Sequence, residues 1–454
     1  MAAAKFFNIS PYSFHPPDRD ATTRSPDWVL LDTKAYISDR RNGTTATAQA
    51  SNGAPVEVTF WVAEPPVFSH FSVHCKDVSG FAEEPRIICS DKDVAVLCIY
   101  WASTRSVGPR ELPDYFVYTA SSRSSKDAAP SLIRLPNPFP LVINPREMGL
   151  LPTVDGEGFV IAVLRRQDIL PGLYHLHVFL SKNWRWITIS LLLEPQSAVG
   201  GRENSINKHI TDKQRARPQP RAAFHPLPKP MARNMDIKNC AWLYRDVAFI
   251  NGLIKFVELE TWENTVQNTV PKNESMYECD EHIADIQFDS DLEDDDSMCA
   301  DLQENSTEST LGWRAVAWVR ETSRKAWIKD YEAKIDDINI DGGTRRAHSL
   351  PPLESLMTAA PTLSTYGHGD DVVVYLMSKL KINDDNAWLV AINMTSKTLE
   401  DLAVFSAKRI FKFNTTYRPS SFSRHLDMTS TTDSHEAGSR IKEEEDDSED
   451  TTAR

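Results

Sequence analysis

The chain reads as a mainly β protein, a propeller-like stack of small antiparallel sheets, and three observations carry that reading. A unit of three strands recurs, first as Phe159–Leu164, Tyr174–Phe179 and Trp184–Ile189, and again as Val372–Met377, Ala387–Asn393 and Leu399–Phe405. A looser copy runs through Val94–Ile99, Tyr115–Tyr118 and Leu132–Leu135, its first two strands about twenty residues apart, toward the upper end of repeat-blade spacing. The copies also mix two burial patterns. Trp388–Ile392 is apolar on both faces, as an inner strand covered by neighbours must be, whereas Tyr174–Val178 keeps its apolar set on one face. A radial stack supplies both environments and leaves only short edges. A pair of β-sandwich domains is the alternative.

In chain order, residues 1–26 are rich in Pro, Ser and charge and read as a flexible leader. Strand signals begin at Trp28–Leu31 and continue through the alternation of Val56–Phe60 and Phe71–Cys75, with Asn42-Gly43 and Asn52-Gly53 as turns between them. Asp246–Ile250, Asn251-Gly252 and Leu253–Leu259 read as a hairpin, because Asn-Gly tolerates the positive φ angles of a two-residue type I′ turn. Strand-like order resumes at Gly312-Trp313 and runs to Trp327, although Arg314–Val319 also fits a short helix; Leu353–Ala360 fits a helical turn. The resulting division is a leader (1–26), an N-terminal β half (27–199), a basic Pro-rich linker or loop (200–233), a hairpin region (234–266), an acidic disordered insertion (267–310), a C-terminal β half (311–417) and a disordered acidic tail (418–454).

Charge is segmental. The chain of 454 residues carries a net charge of −14, yet Glu278–Glu304 alone holds twelve acids and no Lys or Arg, and Glu443–Asp450 holds seven more. Arg202–Arg233 has eight basic residues against two acidic ones, so the remaining body is close to neutral. Such blocks stay solvated rather than joining a core. Six cysteines (Cys75, Cys89, Cys98, Cys240, Cys279, Cys299) show no C-x-x-C pair, and Cys89 and Cys98 lie in or beside apolar runs, which reads as free thiols in a reducing compartment. Met1–Ser10 lacks the apolar stretch of a signal peptide, and no run approaches the roughly twenty apolar residues of a membrane span. A cytoplasmic or nuclear protein without a membrane association is expected.

Several blocks resemble one family. Trp28–Asp32, Arg40–Asn42 with Thr44-Thr45, Phe60–Val62 followed by Pro65-Pro66, and Ser69–Cys75 form an opening that resembles the plant domain-of-unknown-function family numbered 1618, which is expanded in grasses. Asp114–Tyr118, Gly149–Leu151, Arg245–Val247 leading into Ile254–Glu258, and Val372–Lys379 with Ala387–Leu399 extend the resemblance over most of residues 27–405. It implies a plant protein with no assigned activity and brings no catalytic residues. At one place the chain departs from the pattern. A Gly- and Trp-rich strand pair is expected before a Leu-Pro turn, but Gly200–Ala223 is basic and polar, which would leave one blade, and hence the ring, incomplete.

Candidate chemistry is sparse. His70 and His74 lie four residues apart on a strand, about 13 Å, and cannot share one metal ion; His175 and His177, roughly 7 Å apart, lack a third ligand of suitable spacing. Asp289–Glu293 imitates the start of a calcium loop, but Asp294 stands where the turn needs Gly and Ala300 where a bidentate Glu is needed. No G-x-S-x-G, phosphate loop or H-E-x-x-H is present. Lys208–Arg233 could meet phosphate or an acidic partner, yet it lacks interleaved aromatics apart from Phe224, so nucleic acid is not the expected partner. In the tail, Lys442 sits in an apolar-Lys-x-acid modifier-acceptor pattern and Ser448 is embedded in acid as some kinases prefer. No catalytic, metal or cofactor-binding residue is assigned. The expected function is a non-catalytic scaffold that binds another protein, against two alternatives: an enzyme of unrecognised type with its site in a central channel, or a degenerate paralogue.

Overall fold

The computed structural model describes residues 9–18, 26–76, 80–102, 113–120, 129–137, 148–153, 158–166, 173–193, 221–222, 227–235, 241–250, 252–264, 310–324, 326–340, 350–364 and 371–426. They form five small sheets in a ring, the arrangement of a five-bladed β-propeller, with almost no helix. Among the described residues no helix is long and apolar enough to cross a membrane.

The first blade is irregular. It holds β1 (Val29–Asp32), β2 (Tyr36–Ile37), β3 (Ala46–Gln49), β4 (Pro55–Trp61) and β5 (Phe68–Cys75); β1 and β2 both run parallel to β5, and the chain crosses to the edge at β3 before working back. The second blade is a plain meander of β6 (Arg86–Asp91), β7 (Val94–Ile99), β8 (Asp114–Thr119) and β9 (Ser131–Arg134). The third comprises β10 (Met148–Pro152), β11 (Phe159–Arg166), β12 (Leu173–Leu180) and β13 (Arg185–Leu193), with a short β14 (Arg221–Ala222) added parallel to β13. The fourth is β15 (Arg245–Ile250), β16 (Leu253–Asn264), β17 (Thr310–Glu321) and β18 (Ile328–Lys334), and the fifth is β19 (Met357–Leu363), β20 (Val373–Lys379), β21 (Asn386–Asn393) and β22 (Thr398–Ser406). Finally β23 (Tyr417–Ser420) returns to pair antiparallel with β1, joining the two ends of the chain in one sheet.

The three recurring units are therefore blades, and the β-sandwich alternative falls away. The expectation of an incomplete ring is corrected: β10–β13 already make a four-stranded third blade, and β23 closes the circle. Arg314–Val319 is strand, inside β17, because the apolar set Trp313, Ala315 and Ala317 alternates onto one face. Leu353–Ser355 forms a single 3-10 turn, and the chain is extended again from Met357. The expected hairpin is present, with Ile250 opposite Leu253 and Gly252 at φ +82°, while Asn251 lies outside the described residues.

Two boundaries also move. Ser13, in a 3-10 turn within the expected leader, is buried and donates its hydroxyl to Glu84, and Phe422, within the expected tail, is buried against Phe60 and Tyr118. Hydrogen-bonding and apolar contacts with the first two blades hold Ser13 and Phe422 in place. The acidic stretch 278–304, including Asp289–Glu293, lies outside the described residues, as do Lys442, Ser448 and most of the basic stretch 202–233.

Apolar clusters weld the blades. Phe60, Phe71, Leu97, Phe116 and Tyr118 join the first and second. Val96, Cys98, Tyr115, Ile161 and Phe179 join the second and third; Val257, Leu259, Trp313, Val374 and Ile392 join the fourth and fifth. Leu30, Tyr375, Leu389 and Tyr417 join the fifth and first, where Phe68 stacks on Tyr417 at 4.5 Å. Among the described residues no such cluster spans the third and fourth blades.

Candidate functional site

The first strand of each regular blade, with β23 in that place for the first blade, faces the ring's interior. β6 packs on β10, β15 on β19 and β19 on β23. Between β23 and β6, the Ser90 and Ser420 hydroxyls lie 2.8 Å apart and Arg418 donates to the Ile88 carbonyl at 3.4 Å. Polar groups from four blades thus converge here: Asp246, Thr362, Tyr417, Arg418 and Cys89.

Asp246 is the chemically distinct member. Its Oδ2 accepts the Leu363 N–H at 2.8 Å, tying the fourth blade to the fifth, and its Oδ1 accepts the Val247 N–H at 2.9 Å. Burial pushes its carboxyl up to about 6, although both amide donors and the Arg418 charge pull the other way. The Tyr417 hydroxyl, buried near Thr362 and Asp246, is pushed above the ordinary phenol range, chiefly by burial. Burial pushes the Cys89 thiol up to about 12 against the pull of Arg418, and burial likewise pushes up Cys98. The axis therefore offers one carboxyl that titrates near neutrality beside a cation, without an activated nucleophile among the described residues.

That shift has a signed consequence. A carboxyl whose folded pKa lies above its unfolded one stabilises the fold fully below about pH 4, and this contribution is lost as pH rises through about 6. Asp246→Asn should therefore be more stable than the parent at pH 7.5, by on the order of 1–2 kcal/mol after the loss of one acceptor, with the advantage gone at pH 4. Urea unfolding at the two pH values measures it, and an advantage that is equal at both would contradict the assignment.

A second polar centre lies on the fourth blade, on the face turned toward the third. Glu258 is fully buried and Glu260 nearly so. Glu258 accepts the Met231 N–H at 3.2 Å, the Asn234 side-chain amide at 2.9 Å and two N–H groups of Arg245 at 2.9 and 3.2 Å. Glu260 accepts the Arg233 N–H at 2.9 Å and pairs with Arg314 at 2.8 Å. Residues 227–235 are thereby strapped across the sheet. The Arg233 guanidinium sits 4.9 Å over Trp262, whose indole lies on Gly312; a Cβ at Gly312 would come within 2.3 Å of the ring, so only glycine leaves room for it.

Three of the histidines singled out by the sequence make contacts within their sheets. His70 is buried between Tyr36 and Trp61, with ring centroids at 5.1 and 6.3 Å. His175 and His177 sit 6.1 Å apart, and the His177 Nδ1 lies 2.9 Å from the Thr188 hydroxyl. Among the described residues no group of three or more His, Cys, Asp or Glu is placed to hold a metal ion.

The family model described as "Protein of unknown function (DUF1618)" matches residues 208–375, which span the strap, the fourth blade and the start of the fifth. Both carboxylates that hold the strap, their Arg245 and Arg314 partners, and Asp246 fall inside the DUF1618 match. No curated protein matches the chain. Sequence reasoning passed over Glu258, Glu260 and Asp246 as candidates. Their one legible signal is charge inside otherwise apolar strands, which has to be paired if it is buried.

Proposed function

We propose that the chain is a non-catalytic scaffold of a plant protein, whose propeller binds another protein through one end of the ring. The uneven distribution of connections supports this most directly. Because each regular blade is an up-and-down meander, the strands that face the axis all run the same way, and the connections fall into two sets. At one end they span residues 100–113, 135–147, 194–244 and 265–309; at the other, 92–93, 181–184, 251–252 and 394–397 are typical. Strands only support such loops, and recognition is concentrated in the loops. The plant origin rests on the resemblance of the opening block.

Affinity purification of the full chain from several plant tissues tests the reading, beside a variant in which 265–309 is replaced by a short Gly-Ser link. A partner retained by the parent and lost by the variant is expected. Recovery of none above background, or equal recovery by both, would overturn it.

A second reading, an enzyme with its site on the axis, is favoured by Asp246 with its raised carboxyl pKa beside Arg418. It requires that Asp246→Asn abolish an activity while leaving the fold intact. The third, a degenerate paralogue, loses its motive with the ring complete.

A further inference from the structure

Among the described residues, cations at buried or half-buried positions mostly meet an acceptor, and Lys379, 1% exposed, donates to the Ile382 carbonyl at 3.3 Å. Arg409 meets Asp32, Arg245 meets Glu258 and Arg314 meets Glu260. Arg320, near the end of β17, is 2% exposed, yet its Nε and Nη1 have no hydrogen-bond partner. Its guanidinium lies 5.1 Å over the Trp327 ring. Such a group cannot relieve its burial by losing a proton, because guanidinium stays charged in proteins. An unpaired buried charge is costly to the fold, and cation–π contact replaces only part of the lost hydration.

The surroundings define what would complete it. Across the sheet, Arg320 stands opposite Ile254 and then Phe249; in the next row on the same face Trp318 stands opposite Phe256 and then Val247. Phe256 packs against Trp318 at 5.4 Å and Trp327 at 5.9 Å, making an aromatic wall beside the guanidinium. Phe249 and Val247 extend that surface into solvent, 67% and 56% exposed. This is also the face turned toward the third blade, where no apolar cluster of described residues seals the seam.

We propose that this face of the fourth blade is a docking surface for a partner protein, with Arg320 receiving a side-chain carboxylate whose flanking residues are bulky and apolar. One unit of negative charge balances Arg320, whereas a phosphate would bring an excess of charge against an aromatic wall. Phe249 and Val247 take the flanking apolar side chains. Trp327, only partly buried after the β17–β18 turn, is the group that swings aside to admit the carboxylate. The site lies about 34 Å along β17 from the connection 265–309, so it stands or falls apart from the loop-end reading.

The probe is the blocked pentapeptide acetyl-Ala-Phe-Glu-Phe-Ala-amide, compared by calorimetric titration with its Gln analogue and with sodium benzoate on the full chain. The Glu peptide should bind at least tenfold tighter than the Gln peptide. Arg320→Met should lose that binding at least tenfold while unfolding at no lower temperature than the parent, because it removes an unpaired buried charge. Phe249→Ser, at an exposed position, should also weaken the Glu peptide severalfold. Equal binding of the Glu and Gln peptides, no binding of either, an unchanged affinity in the variants, or a lower unfolding temperature for Arg320→Met would each overturn the proposal. Benzoate binding in place of the peptide would overturn it too, in favour of a free acid.

Discussion

Replacing Arg409 by alanine is expected to destabilise the protein by about 3–5 kcal/mol, the range found when one partner of a buried ion pair is removed. Arg409 lies in the connection between the fifth blade and β23. Its Nη1 donates to Asp32 at 3.2 Å, its Nη2 to the carbonyls of Lys34 and Ala35 at 3.0 and 2.7 Å, and its Nε approaches Glu84 at 3.8 Å. The guanidinium also stacks 3.9 Å over Tyr36. One side chain thus ties the end of the chain to its beginning across the ring's closure. Burial already pushes the Asp32 carboxyl above its ordinary value despite Arg409, so loss of the cation removes the largest of the contributions that offset its burial. Denaturant unfolding gives the magnitude, and faster hydrogen exchange in β1 and β23 than in β20 and β21 would locate it. A loss below about 1 kcal/mol would place the latch among the weak surface pairs. Glu84 adds a pH dependence of opposite sign to that of Asp246. Burial pushes it up, but Lys34, the Ser13 hydroxyl and Arg409 together hold it below the ordinary range, so its stabilisation is present above about pH 4 and fades on acidification.

Glu258→Ala should cost a similar amount, about 3 kcal/mol or more, because three separate elements lose the same acceptor. Arg245 would keep a half-buried charge without its carboxylate, and Asn234 and the Met231 N–H would be left with unmet donors. The local signature is specific. The strap 227–235 should detach, so trypsin should cut after Arg233, the one site in the strap not followed by proline, faster than in the parent, before global unfolding. Glu258→Gln separates charge from shape: it keeps the volume but turns an amide donor toward other donors, and it should resemble alanine more than the parent. Unchanged cleavage in both variants would show that the Arg233–Trp262 stack, not Glu258, holds the strap.

The regular blades were legible from sequence because their strands obey a local rule. Alternation, or full apolarity for a covered strand such as Trp388–Ile392, follows from which faces are buried, and the Asn-Gly turn marks its hairpin. The first blade was legible only as strands. Its order, with β1 and β2 beside β5 and β3 at the edge, depends on pairings between distant residues that no window of sequence contains. The departure at Gly200–Ala223 does not remove a strand pair for the same reason: the third blade is completed by β10–β13, whose pairings no local pattern reports.

By itself, then, the sequence determined a repeating all-β body, thiols in apolar strands, and a net charge concentrated in acidic and basic blocks. These are consequences of side-chain period and composition, which act over a few residues. Tertiary structure decided that the body closes into five blades, because closure rests on β23 meeting β1 and on Arg409 meeting Asp32, far apart in the chain. It also decided which charges matter. A Glu or Arg within a strand looks the same in sequence whether it faces water or a neighbouring blade, and only packing separates the paired Glu258 from the unpaired Arg320.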